Sequence, residues 1–454
     1  MSTKSRDNLT AFLWEPQPKA AQLVGKLVDE QCRAFPPAKN LADRLHQETG
    51  TRLVDWLDHL MCPESDELRE QLKAAGFHCG YRGQVNTWEH PDGMFPRIRL
   101  REGAPHGMAL RVESVSDFVQ AQGLADAVTI EGSPGAPLRR ARVASGAGHE
   151  LWVFERHGDA DFEPIKISPE QAQAAARHLE VFRQRKRDFD QIEEGFAHAA
   201  ELVHAASAEL GVDWTSALFF RAERDYWQSR NRAGQIQKAR QDRLGLGWGN
   251  HDHHTYRSSR AAFAPLIALF EQLGLECRER FYAGREAGWG AQVMEQANSG
   301  IVVFADVDLA PGEVTDDFAH EPLAPQQQLG TVGLWCALHG EALLQAGMHH
   351  LEAQFDFAAA REQLRQAGIE SMAPFTDFPF LKQAFTQGEI WPIASERLER
   401  LLAAGSIDAL QAEKFRSHGA LGSHLEILER NDGYKGFNQT GISEIIRATD
   451  PRRR

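Results

Sequence analysis

Apolar positions along this chain fall into one recurring order. A strand-like run leads into an amphipathic helix-like segment, a glycine follows, and an apolar residue then opens further strand-like runs. Arg69-Glu70-Gln71-Leu72-Lys73-Ala74-Ala75-Gly76-Phe77 returns almost unchanged as Arg361-Glu362-Gln363-Leu364-Arg365-Gln366-Ala367-Gly368-Ile369. In both, the glycine stands where a left-handed residue ends a helix. Residues 115–122, ending at Gly123-Leu124, and residues 261–272, ending at Leu273-Gly274-Leu275, follow the same order without the identities. Strand-like runs at 108–112, 253–257 and 349–354 precede three of the four helices, and the ambiguous run 53–61 precedes the first. Four such units predict an α+β fold in which βαβββ modules pair into two domains.

Further strand-like stretches support the pairing: 83–89, 127–131, 138–143 and 150–155 in the first half, then 276–282, 291–295 and 300–307 in the second. Residues 168–210 read as helical, and their mixed-charge part, 183–194, as a solvated helix or helical pair joining the domains. Residues 1–65 read as mainly helical, punctuated by Pro16, Pro18, Pro36 and Pro37. The expected organisation is a helical region 1–65, a sheet domain 66–165, a helical linker 166–245 and a second sheet domain 246–454.

Composition narrows the functional classes. With 42% hydrophobic and 25% charged residues the chain is of ordinary soluble type. A formal charge of −14 argues against non-specific binding to nucleic acid or anionic membranes. The N-terminus leads into no apolar signal region and no stretch is long and apolar enough to span a bilayer, so a cytoplasmic protein is expected. Cys32, Cys62, Cys79, Cys277 and Cys336 are scattered and form no CxxC pair, which suggests neither a disulfide framework nor a thiolate zinc site. A homodimer is compatible with two large sheets.

The candidate chemistry lies in the second half. Strict alternation along Gly249-Asn250-His251-Asp252-His253-His254-Thr255-Tyr256-Arg257 puts His251, His253, Thr255 and Arg257 on one face. His349-His350 opens another strand-like run. Glu426 sits between Leu425 and Ile427 in a third, where an inward carboxylate is costly unless something pairs with it. Two histidines and one carboxylate from distant strands are the usual donors of a mononuclear Fe(II) site. His251 or His253 would be the first donor, and His349 or His350 the second. Glu429 has the opposite parity from Glu426 and abuts Arg430. Arg257 would clamp a substrate carboxylate, and His424, on the face of Glu426, would line the same cavity. No Walker loop, GxSxG elbow or GxGxxG signature is present.

Three motifs carry a family resemblance. Leu425-Glu426-Ile427-Leu428-Glu429-Arg430, then a turn, Gly436-Phe437 and a helix-like 442–449, together with Gly347-Met348-His349-His350-Leu351 and Asp252-His253, are similar to the vicinal oxygen chelate superfamily. Within it the second half resembles the 4-hydroxyphenylpyruvate dioxygenase type. Asp252-His253 with Arg257 four residues on also resembles the 2-oxoadipate dioxygenase/decarboxylase family. The resemblance implies a metal-free first domain and a catalytic second one, with Fe2+ held by His253, His350 and Glu426. The implied partners are O2 and a small carboxylate-bearing substrate, a 2-oxo acid that is oxidatively decarboxylated. The residues after Gly436 would form a lid. Alternatives on the same scaffold are an isomerase, epimerase or lyase using Zn2+, Mn2+ or Co2+, and an extradiol ring-cleaving dioxygenase. Ile442 stands where the hydroxyphenylpyruvate enzymes carry an aromatic, so the resemblance does not extend to that substrate.

Overall fold

Eight strands build the first sheet: β1 (Leu57–Pro63), β2 (His78–Cys79), β3 (Thr87–Glu89), β4 (Arg97–Arg101), β5 (His106–Arg111), β6 (Ile130–Glu131), β7 (Leu138–Gly146) and β8 (His149–Arg156). Their order is β2-β3-β4-β1-β5-β8-β7-β6 in a computed structural model that describes residues 14–80, 86–438, 450 and 452. β1 and β5 each run into a helix, Asp66–Ala74 and Val115–Ala121, before three more strands follow. The sheet is therefore two βαβββ modules joined through the antiparallel pair β1 and β5.

The second sheet repeats this plan with β9 (His251–Arg257), β10 (Glu276–Tyr282), β11 (Trp289–Gln296), β12 (Ile301–Asp308), β13 (His350–Gln354), β14 (Thr376–Phe378) and β15 (Leu381–Phe385). Before its last strand the chain inserts a ribbon, β16 (Ile390–Trp391) with β17 (Ala420–Leu421), and two helices, Ser395–Ala403 and Ala409–His418. β18 (His424–Arg430) then completes the order β10-β11-β12-β9-β13-β18-β15-β14. The fold is α+β, built of paired βαβββ modules, with extra helices before the first sheet and between the two.

The repeat seen in the sequence has a backbone cause. Gly76, Gly123, Gly274 and Gly368 all take positive φ, at 89°, 68°, 76° and 78°, which a residue without Cβ adopts at no steric cost. Each ends its module's helix and returns the chain to the sheet.

Two expectations are corrected here. The first module starts before residue 66, because Leu57–Pro63 is a strand at the centre of the sheet. It shows no alternation because Leu60, Met61 and Cys62 are buried in succession, both faces of the strand being covered. The charged stretch 183–194 is not a solvated helix either. The helix Pro169–Gln184 stops there, and Arg185 and Arg187 turn inward to Glu223 at 2.9 and 2.6 Å.

That ion cluster lies among the helices Pro169–Gln184, Ile192–Leu210 and Val212–Ser229, which cover one face of the second sheet. Phe220 meets His254 at 5.2 Å and Tyr256 at 6.3 Å across this interface, so these two positions of β9 face the helices. The opposite face is left to line a cavity. No helix among the described residues is long and apolar enough to cross a membrane.

The linker seats on the helix Val115–Ala121 through Gly245, whose φ is 74° and whose Cβ would stand 2.3 Å from the Phe118 backbone. Gly368 has φ of 78° but open space around it, with only Arg232 Nη2 at 3.8 Å. Gly368→Ala should therefore cost about 1 kcal/mol and Gly245→Ala about 3 kcal/mol, from strain plus overpacking. Equal losses in urea titrations would contradict the packing described.

Candidate metal centre

β9 carries one residue too many for its partner. Against β13, Leu351 stands opposite His254 and Ala353 opposite His251, so three steps on β9 match two on β13. The extra residue makes a bulge at Asp252-His253, which changes the face to which the preceding residues point. His253, Thr255 and Arg257 line the cavity. His251 falls on the other side, its ring 5.3 Å from that of His254. The expectation that His251 shares the catalytic face is corrected: strict alternation fails at a bulge.

His350 is the member of its pair that points at the cluster. Its Nε2 lies 2.7 Å from Glu352 Oε1 and 3.5 Å from Glu426 Oε2, and His253 Nε2 lies 2.6 Å from the same Glu352 oxygen. Glu352 and Glu426 are register partners on the parallel strands β13 and β18. Donors bound at about 2.0–2.2 Å to one ion stand about 3 Å from their neighbours, and these contacts bracket that spacing. All four residues are buried, between 2% and 7% exposed.

The charges also suit a cation. Burial, then the adjacent Glu352 carboxylate, pushes the Glu426 carboxyl well above its usual range. Burial alone would raise Glu352 too, but His253 and His350 hold it down to about 2. Two buried carboxylates this close cannot both ionise without a compensating positive charge. A divalent ion neutralises both, and the mixed imidazole and carboxylate set suits Fe2+, Mn2+, Zn2+ or Co2+.

Glu352 had no place among the residues singled out from sequence. The signal was present: it alternates with His350 along β13 and sits between Leu351 and Ala353, the same criterion that marked Glu426.

An outer ring of hydrogen bonds fixes the donors. His253 Nδ1 donates to Asp252 Oδ1 at 2.8 Å. Asp252 accepts from Arg430 Nε and Nη2 at 2.9 and 3.0 Å and from Gln354 Nε2 at 3.0 Å. Despite burial, Arg430 holds the Asp252 carboxyl far below the usual range. Gln383 Nε2 donates to Glu426 Oε1 at 2.7 Å, and Thr255 Oγ1 to Glu352 Oε1 at 3.1 Å. The Nδ1 atoms of His349 and His350 lie 2.6 Å apart, and donation from His350 Nδ1 is the arrangement that leaves its Nε2 free to bind. Such partners set the tautomer and aim of metal ligands.

The cluster opens on a cavity of about 90 Å3 whose walls include Phe281, Trp289, Phe304, Phe375, Phe385 and Phe437. Arg257 lies in it with Nε and Nη1 buried and without a hydrogen-bond partner. Its nearest carboxyl, Asp306, is 3.8 Å away and is pushed by burial up to about 8. His424 is not in the cavity wall: its ring stacks on Phe385 at 4.9 Å and its Nδ1 bonds the Thr386 carbonyl. The Phe385 ring stands between His424 and the cavity, which corrects the expectation drawn from parity. Phe437 packs edge-on against His253 at 4.9 Å. Residues 439–449, where the capping helix and Ile442 were expected, lie outside the described residues.

The first sheet contains the same relay without the donors. His59 Nδ1 contacts Asp58 Oδ2 at 2.6 Å, and Arg156, the last residue of β8 as Arg430 is of β18, reaches Asp58 at 2.6 and 2.9 Å. The bulge recurs as well, between Leu57 and His59. Opposite His59 stands Ala109, paired in turn with Trp152, at the positions that Glu352 and Glu426 take in the second sheet.

No family model matches the chain, and neither does any curated protein. Solved structures with a similar course include a putative hydrolase from Shewanella frigidimarina, 13% identical over 53% of this chain and 98% of that one, TM-score 0.31. A variant of 4-hydroxymandelate synthase from Streptomyces coelicolor is 13% identical over 76% and 98%, TM-score 0.29. Methylmalonyl-CoA epimerase from Mycobacterium tuberculosis is 12% identical over 40% and 87%, TM-score 0.23. Identities and TM-scores this low carry no argument about activity, which rests on the side chains.

Removing the relay while leaving the donors should weaken the ion without abolishing it. Asp252→Asn and Arg430→Gln are expected to lower metal affinity about 10–100-fold in chelator competition, and Asp58→Asn to leave it unchanged. An effect of Asp58→Asn as large as that of Asp252→Asn would refute the assignment.

Proposed function

We propose that the chain is a mononuclear non-haem Fe(II) dioxygenase acting on a small carboxylate-bearing substrate, a 2-oxo acid. The observation that carries this reading is the convergence of His253, His350 and Glu426 on one small aromatic cavity with Arg257, whose Nε and Nη1 lack hydrogen-bond partners. Bound Fe(II) would supply O2 activation beside the chelated substrate, with loss of CO2 and oxidation of the remainder of the same molecule.

The protein groups have separate tasks. Arg257 presents two buried N–H groups without partners, so a substrate carboxylate gains charge-assisted hydrogen bonds there. Asp306, largely protonated at neutral pH by the shift described, leaves most of that positive charge for the substrate. The aromatic walls exclude bulk water, which keeps an oxidant on the substrate and strengthens the Arg257 contact.

Glu352 favours a second reading. As a fourth donor it leaves an octahedral ion two open positions rather than three. Two positions suffice for a substrate bound through two oxygens, without O2. With Zn2+, Mn2+ or Co2+ as Lewis acid, the chain would then be an isomerase, epimerase or lyase.

Metal analysis and O2 uptake of anaerobically reconstituted protein separate the two. About one iron per chain, lost in His350→Ala and Glu426→Ala, with O2 consumption triggered by a member of a 2-oxo acid and catechol panel, is the predicted result. Turnover with Zn2+ or Mn2+ and no O2 uptake would transfer the assignment to the second reading, and no bound metal would refute both. Arg257→Gln should raise KM about 100-fold, as expected for losing two charge-assisted hydrogen bonds, with metal content unchanged.

A further inference from the structure

Away from the metal centre, the two sheets enclose a cleft of about 920 Å3, and beside it lies a chamber of about 30 Å3. Arg111 at the end of β5, Arg156 at the end of β8, Arg221 and Arg224 of the helix Val212–Ser229, and His251 of β9 all line the chamber. Arg111, Arg156 and His251 line the cleft as well, so the two spaces are continuous in their walls.

Arg156 is committed to Asp58. Arg111 makes one hydrogen bond, from Nη2 to the Ser299 carbonyl at 3.0 Å. Arg224 makes one, from Nη1 to His254 Nε2 at 3.1 Å, and its Nε is buried with no partner. Glu113 also lines the chamber, but it pairs with Lys238 at 3.1 Å and accepts from the Trp248 amide. Burial pushes Arg111 down to about 10 and lowers Arg224 as well; a guanidinium stays charged at neutral pH. A buried N–H without an acceptor is costly. Arg224 Nε is one, although Glu113 faces the guanidinium as a charge, and half-buried Arg111 faces Asp58 and donates to the Ser299 carbonyl.

His251 defines the missing partner further. Its Nδ1 contacts the Trp248 carbonyl at 2.8 Å and so carries the ring proton, which leaves Nε2 as a buried lone pair with no donor. The chamber thus asks for negative charge and for one proton to give. A carboxylate has no such proton at neutral pH, whereas a hydrogen phosphate or protonated phosphomonoester has both. The chamber accommodates one oxygen-sized atom, and the cleft holds the rest.

We propose that this cleft binds a phosphate group, free or as the head of a larger phosphomonoester, with one oxygen in the chamber between Arg111 and Arg224 and its hydroxyl donating to His251 Nε2. The cleft itself is lined by acidic and basic residues alike, and the excess of positive charge is confined to the chamber, where Arg111, Arg156, Arg221 and Arg224 face Glu113, so an anion is drawn there.

Isothermal titration of the full chain with EDTA present, at constant ionic strength, tests the site with inorganic phosphate, glycerol 3-phosphate and acetate. Saturable phosphate binding is expected, at least tenfold weaker in Arg111→Gln and in Arg224→Gln. Glycerol 3-phosphate binding more tightly than phosphate would assign the site to a phosphomonoester, and weaker binding to the free ion. If the variants do not fold, thermal stabilisation of the wild type by phosphate over matched chloride decides the matter. No saturable phosphate binding, equal affinity for acetate, or wild-type affinity in Arg111→Gln would overturn the proposal.

Discussion

Arg430 grips Asp252 with two buried hydrogen bonds, and Asp252 is the extra residue in the bulge of β9. The rest of the site depends on that contact. Without the bulge, His251 and His253 would share a face and the strand would continue its plain alternation. With it, His253 turns toward Glu352 while His251 turns toward the helical side. Asp252 then receives the Nδ1 proton of His253, so one carboxylate both holds the backbone irregularity and selects the tautomer that leaves Nε2 available. Arg430 comes from β18, the strand that also carries Glu426, and the pairing therefore ties two donor strands together.

The comparison inside the molecule separates scaffold from chemistry. Arg156, Asp58 and His59 reproduce the relay in the first sheet, bulge included, but Ala109 and Trp152 stand where the second sheet has Glu352 and Glu426. His59 accordingly packs against Phe154 and Phe162 at 4.8 and 4.7 Å. The relay is compatible with either filling. What suits the second sheet to a metal ion is the change of two inward positions from small and aromatic to acidic, in a setting where burial makes unpaired carboxylates untenable.

Much of this was legible in the residues. The helix-ending glycines exposed the modules, because positive φ imposes a residue type, and burial logic singled out Glu426 among apolar neighbours. The same logic applied to β13 would have found Glu352. The bulge was not legible from alternation, which presumes an even ladder. The recurrence of Asp-His at 58–59 and 252–253, each answered by an arginine at 156 and 430, was a sign of it. Leu57–Pro63 was obscured by burial on both faces. Arg185 and Arg187 resembled solvated charges because their partner, Glu223, lies on another helix. His424 had the right parity, but only packing shows Phe385 in front of it.

The two readings of the activity share one claim, that a single ion sits among donors placed by the bulged strand. Anomalous diffraction at the metal edge, from crystals loaded with Mn2+ or with Fe2+ under anaerobic conditions, tests it directly. The account predicts one strong peak at about 2.0–2.3 Å from His253 Nε2, His350 Nε2 and a Glu426 oxygen, and none beside His59. A peak elsewhere, or no ordered ion at full loading, would contradict it.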